Sequence, residues 1–374
     1  MQTIYGRPWK IHDCMIKKTN IIIGCFVSLL FSLVLLFHGY IRPLPTFSSE
    51  LGRSLAFFYR NESQHKDPVK HCLYDAGDYL VFIQRNTEAL ALLSYAYTWA
   101  KTDAAKHDLI QTIDRFLPCS EQMFSLKLKQ FRDQSNHGVN LPPIINEWLY
   151  PQNTYSFEQA EGRDVAALLF LIEKNMDKDT HAFISPIAFA TASANCCEGG
   201  TLILNAQQLA AIDTLLPEGK NNVDGMWGLD WRAISAVEHG DWNDVKRTLT
   251  TIQERFKPTG EPFLYPNGNK DIAGTVALER LYARATGDKS FETLSHELFS
   301  YLHGKNVYKI DFTNSPRLYH PCQFFHVCTL QETLVNGADE HGVDVHRPDI
   351  WKNTEPSITT QATYVIASLL YFDL

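Results

Sequence analysis

The chain has no excess of positive charge. Its 34 Lys and Arg face 42 Asp and Glu, a formal charge of -8 over 374 residues. Phosphate backbones need a basic surface, so nucleic acid is excluded as the main partner. Several catalytic motifs are also missing. There is no G-x-S-x-G, no H-E-x-x-H and no phosphate loop with Gly-Lys-Ser or Gly-Lys-Thr. No dinucleotide fingerprint follows a strand, and strand-like alternation is scarce. Phe183–Phe189 and Val307–Phe312 are the best candidate strands, both short. Charged residues are few, 20%, against 45% hydrophobic and 12% aromatic, which excludes disorder for most of the chain.

What is present begins with an apolar run. Between Lys18 and Arg42 lie 23 residues without Asp, Glu, Lys or Arg. About 20 apolar residues in helix span a bilayer core, so residues 19–41 are expected to cross a membrane. The preceding flank, residues 1–18, carries Arg7, Lys10, Lys17 and Lys18 against Asp13, a net of +3, which leaves -11 on the rest. Positive-inside reasoning puts the N-terminus in the cytoplasm and the large domain outside it. The stretch after the run, FHGYIRPLPTFSSE, offers no A-x-A-like cleavage site, so a single-pass signal-anchor is expected over a cleaved signal peptide. Residues 42–70 read as a tether holding a short helix over Leu51–Arg60. Residues 71–374 read as one helical domain.

Of eight cysteines, Cys14 and Cys25 fall in or before the anchor. Cys72, Cys119, Cys196, Cys197, Cys322 and Cys328 remain. In an oxidising compartment some of these pair, but six thiols allow about 15 pairings and spacing does not choose among them. Cys322 with Cys328 would close a short loop. The run HPCQFFHVC also places His320, Cys322, His326 and Cys328 together, with Cys196 and Cys197 as further thiolates, which leaves a metal-dependent enzyme as a third, lower reading; the spacing matches no zinc pattern, so neither a metal nor a cofactor is expected.

Helical periodicity covers most of the remainder. Asp78–Lys101, Thr102–Phe116, Ser120–Arg132 after Pro118, Phe157–Lys174 and Ala206–Leu216 read as helices. Trp227–His239, Trp242–Phe256, Ile272–Thr286, Phe291–His303 and Ile358–Phe372 complete the set. Two joints look alike: Gly240-Asp241 and Gly287-Asp288 each end one helix and start the next, 47 residues apart. Glycine supplies the left-handed cap and the polar residue opens the following helix. That interval suits successive αα hairpins stacked in a ring. The loop between them, Lys257–Asp271, reads KPTGEPFLYPNGNKD, and long loops in compact folds are often functional.

The segment from Asp224 to Phe291, carried by WGLDWRA, the loop and ALERLYARATGD, resembles the repeating hairpins of six-hairpin (α/α) toroid proteins. These include glycoside hydrolases, polysaccharide lyases and sugar epimerases. TYSFEQAEGRDVAALLFLIEK at Thr154–Lys174 is similar to the Thr-x-Ser-Glu-x-Gln segment of family-eight glycoside hydrolases. It departs from that pattern where Phe157 separates Ser156 from Glu158, and the family's later Asp-Ala-Asp signature is absent. The resemblance implies a mostly all-α toroid acting on polysaccharide or oligosaccharide.

Residue chemistry points the same way. Glycosidases need two carboxyls flanking the bond, one protonated and one ionised, and sugar sites add flat aromatic faces. Here acids and aromatics interleave, and Glu158, Asp230 and Asp271 fall near helix starts, which gather on one face of such a ring. Glu158 is expected as acid and Asp230 as base or nucleophile. Asp271 is the third expected catalytic acid, and Trp227, Trp231, Tyr265 and Glu261 are expected to bind substrate. Each has a plainer alternative. An acid at a helix start is commonly a cap or dipole partner worth about 0.5–2 kcal/mol, and Trp227 and Trp231 at i, i+4 suit a core. The expected function is a membrane-anchored, extracytoplasmic carbohydrate-active enzyme, hydrolase before lyase or epimerase. The rival is a non-catalytic helical module docking envelope proteins or glycans, which would show a broad apolar or charged patch instead of a carboxylate pocket.

Overall fold

The computed structural model describes residues 45–49, 51–62, 71–75, 81–137, 168–169, 171–176, 228–229, 231–256, 268–314, 333–337 and 355–374. The chain divides into two compact units, Met1–Pro45 and Thr46–Leu374. The expected tail and anchor, 1–18 and 19–41, lie outside the described residues. Among the described residues, no helix is long and apolar enough to cross a membrane.

The second unit is helical: α1 (Gly52–Arg60), α2 (Ile83–Trp99), α3 (Asp103–His137), α4 (Trp231–His239), α5 (Trp242–Phe256), α6 (Asn269–Thr286), α7 (Glu292–Leu302) and α8 (Ile358–Tyr371). Residues 168–169 and 171–176 are also helical. Helices α2, α6 and α8 are buried along almost their whole length. A helix buried on all sides must be apolar or satisfy its polar groups itself. These do the latter: the Thr87, Thr275 and Thr363 hydroxyls donate to the carbonyls of Ile83, Asp271 and Thr359, four residues back. Small residues such as Ala89, Ala91, Ala273, Ala277, Ala362 and Ala367, all buried, let the helices approach closely.

Helix α8 packs against both α2 and α6, while α3 packs on α2, α7 on α6 and α5 on α4. Main-chain bonds show that α2, α6 and α8 run in the same direction. At one end Ile358 N–H donates to Asp75 C=O (2.9 Å), just ahead of α2, and Asn269 N–H donates to Asn336 C=O (2.7 Å). At the other end Arg284 of α6 donates to Trp99 C=O and binds Asp373, while Lys101 N–H donates to Leu374 C=O. This is an inner layer of parallel helices, with α3 and α7 as the outer partners of α2 and α6, the expected αα-hairpin arrangement. The two joints close differently. At Gly240 the Asp241 N–H reaches back to Ala236 C=O while Gly240 N–H bonds Val237 C=O; at Gly287 a single bond runs to Ala283 C=O. Both glycines take positive φ, 69° and 74°.

Three expectations need correction. Pro118 does not separate two helices: it sits inside the continuous α3. A proline inside a helix forfeits one backbone bond, but Phe116, Leu117, Cys119, Ser120 and Met123 are all buried around it, so packing holds both halves in line. Val307–Phe312 is no strand. Only an isolated bridge joins His303 and Asp311, because the Asn306 amide binds the carbonyls of Tyr301 and Ile310 and accepts from Ile310 N–H, folding the segment on itself. The described part of the stretch read as a tether belongs to the domain. Leu55, Phe57 and Phe58 of α1 are fully buried, each worth about 1.5–3 kcal/mol. Residues 48–49 are clamped to α3, where the Asp108 carboxylate accepts from both backbone N–H groups and both hydroxyls of Ser48 and Ser49.

Among the described residues a disulfide joins Cys72 to Cys119. Cys196, Cys197, Cys322 and Cys328, with the His320–Cys328 run and Phe183–Phe189, lie outside the described residues. Among the described residues no His, Cys, Asp or Glu group could hold a metal.

Candidate functional site

The N-terminal ends of α2, α6 and α8 converge, and each uses a buried amide to grip the loops around it. On α2, Asn86 Oδ1 accepts from Leu73 N–H (2.8 Å) and Nδ2 donates to Leu73 C=O (2.9 Å). On α6, Asn269 Nδ2 donates to Val335 C=O (2.9 Å). On α8, Gln361 Oε1 accepts from Leu334 N–H and Nε2 donates to Ser54 C=O, both at 2.9 Å. All three amides are 0–1% exposed. Buried amides persist only when bonded, so these side chains fix the loops as a backbone ladder would.

Several acidic residues belong to the loops and first turns at this end. Ser357 caps α8, accepting from Thr360 N–H, and Glu355 stands just before it. The Glu355 carbonyl accepts from Asn336 N–H (3.0 Å), and the Asp75 carbonyl accepts from Ile358 N–H. Asp75 and Glu355 therefore reach the same helix start from two different loops, and both are half-buried. Glu88 of α2 is more deeply set and is neutralised by Lys270 Nζ (3.1 Å) and Arg85 Nη1 (3.2 Å). Burial alone would push its carboxyl up; the two cations outweigh that and hold it below its ordinary value.

Of the residues expected from sequence, Asp271 is in the first turn of α6 and 4% exposed. Glu158, Asp230, Trp227, Tyr265 and Glu261 lie outside the described residues. Trp231 opens α4. The segment flanking Asp230 does reach Asp271. A Cβ on Gly228 would stand 2.6 Å from the Asp271 carbonyl, and one on Gly274 would strike Leu229 N. Backbone thus rests on backbone, and the loop before α4 lies against the start of α6.

Asp75 and Glu355 are not among the acids expected from sequence, which stand in aromatic company in the stretches 148–164 and 227–271; these two fall outside them. The signal available is the one applied to Asp271, an acid next to an inner-helix start: Tyr74-Asp75 precedes α2, and Glu355-Pro356-Ser357 leads directly into α8. Among the described residues only Val307 and Phe372 are large exposed hydrophobics, so these residues show no broad apolar docking patch.

No family model matches the sequence, and no curated protein matches it by sequence. Solved structures match it by fold. Endoglucanase CelQ from Clostridium thermocellum, complexed with cellobiose and cellotriose, is similar with a TM-score of 0.57 and 14% identity, over 86% of this chain and 69% of that one. The endoglucanase of the termite Nasutitermes takasagoensis gives 0.55 and 12%, over 87% and 98%. A Zn-binding triple mutant of the family 9 endoglucanase J30 gives 0.53 and 12%, over 85% and 78%. The chain thus has the (α/α) toroid fold of glycosidases, as the hairpins at 224–291 suggest. The family named among these similar structures is nine, so the likeness of 154–174 to family eight is not confirmed.

Proposed function

We propose that the chain is a glycoside hydrolase acting on a β-glucan or related polysaccharide, held at a membrane by residues 19–41 with its domain outside the cytoplasm. The observation that carries the reading is that Asp75 and Glu355, half-buried acids on separate loops, both stand at the start of α8, Asp75 through the backbone bond from Ile358 and Glu355 in the chain just ahead of it. Hydrolysis of a glycosidic bond needs two carboxyls in unlike environments. Fold supports the substrate class, since the similar structures are endoglucanases, one with cellobiose and cellotriose bound. Asp271, buried beneath the Gly228 backbone, fits shaping the site better than touching a polymer. Glu158 as acid and Asp230 as base remain the rival pair, Asp230 favoured by the approach of its neighbouring backbone to Asp271.

The test is turnover of carboxymethyl cellulose and cello-oligosaccharides by the purified chain. Asp75→Asn and Glu355→Gln should each lower kcat by about a thousandfold or more while leaving the helical signal intact. If both variants keep native activity and Asp230→Asn and Glu158→Gln abolish it, the rival pair carries the chemistry. If the native chain releases no product from any glucan, the hydrolase reading fails. The anomer first released distinguishes retention, with carboxyls about 5–5.5 Å apart, from inversion, about 6.5–9.5 Å. Protease added outside intact cells should digest the domain and spare a fragment running from residue 1 to about residue 45, which holds the tail and the anchor.

A further inference from the structure

The chain leading to Asp75 is held by bonds to three elements. Leu73, Tyr74 and Asp75 are consecutive, and each has its carbonyl bonded to a different element. Leu73 C=O receives Asn86 Nδ2, Tyr74 C=O receives Asn61 Nδ2, and Asp75 C=O receives Ile358 N–H. On the donor side, Leu73 N–H bonds Asn86 Oδ1 and Tyr74 N–H bonds Asn61 C=O (3.0 Å). Asn86 also donates to Phe82 C=O (2.9 Å), so one side chain ties together both ends of the loop between Leu73 and α2. Asn61 and Asn86 are 0% and 1% exposed. A leucine would occupy a similar volume with less polar burial. Amides are needed here only to set the path of the strap that ends at Asp75.

We infer that Asn86, seconded by Asn61, is a positioning residue for Asp75, an inference that rests on the hydrolase reading above. Neither amide touches substrate. Each fixes a peptide plane ahead of the carboxylate, so that its direction is set before substrate arrives. Loss of Asn86 frees the Leu73 peptide and the base of the loop. Loss of Asn61 frees only the Tyr74 carbonyl, since the backbone bond from Tyr74 N–H remains. The two effects are therefore graded.

The experiment measures kcat and KM for Asn86→Ala, Asn61→Ala and Asp75→Asn on a soluble cello-oligosaccharide. The assay temperature is one at which circular dichroism shows each variant folded. A displaced reacting group costs up to about 100-fold in rate, so Asn86→Ala should lose about 10–100-fold in kcat and Asn61→Ala about 3–10-fold, with KM within about twofold of native. A merely structural role would lower the melting temperature and leave kcat of the folded enzyme unmoved. If Asn86→Ala does not fold, Asn61→Ala decides. An inactive Asp75→Asn beside a folded Asn61→Ala of native kcat overturns the positioning role alone. A fully active Asp75→Asn removes Asp75 from the chemistry and overturns the hydrolase assignment of that residue together with this inference.

Discussion

Replacing Cys72 and Cys119 together by Ala should lower stability by about 4 kcal/mol. The disulfide joins residues separated by 47 positions. In the chain-entropy picture, closing a loop of that length removes about 14 cal/mol/K from the unfolded chain, or about 4 kcal/mol at 25 °C. Packing adds to this. Both cysteines are buried, and Met123 Sδ lies 3.5 Å from Cys119 Sγ and 3.9 Å from Cys72 Sγ, so two sulfurs leave a gap in a filled region. Guanidinium denaturation of native and double-Ala proteins reads the difference. The midpoint should fall, and the slope should rise, because an uncrosslinked unfolded chain exposes more surface. Thiol titration of denatured, unreduced native protein should find at least two of its eight cysteines blocked. A double variant with unchanged midpoint and slope, or eight free thiols in the native protein, would refute the reasoning.

Asp108→Ala should cost about 3 kcal/mol, since a buried carboxylate that accepts from Ser48 and Ser49 through backbone and hydroxyl groups is lost. Limited proteolysis should then cut near residues 46–50 first, and a native cleavage pattern would count against the clamp. Glu279 on α6 is fully buried, and burial raises its carboxyl above the ordinary value, opposed mainly by the neighbouring Arg280 charge. The folded state then holds a proton that the unfolded state releases, so this group stabilises fully below about pH 4.3 and the contribution is lost as pH rises through its raised folded value. Glu279→Gln should flatten the decline in melting temperature across that window; parallel profiles for the two proteins would contradict it.

Much of the helical content was legible because burial of one helix face leaves a periodic trace. Trp242–Phe256 appears in the structure with the expected bounds, and both glycine joints hold, since a left-handed cap is a local requirement that one residue type meets. The toroid class was legible for the same reason: hairpins of similar length repeat. Pro118 shows where local signals fail, because a proline's preference is a few kcal/mol and the buried side chains around it outweigh that. Partners in space were beyond the sequence. Cys72 meets Cys119, and Asp75 meets the start of α8, across 47 and 283 positions. No periodicity encodes such distances. They follow from packing: α8 lies against α2 and α6, and this brings the Asp75 backbone, from the chain ahead of α2, to the helix start that Glu355 precedes.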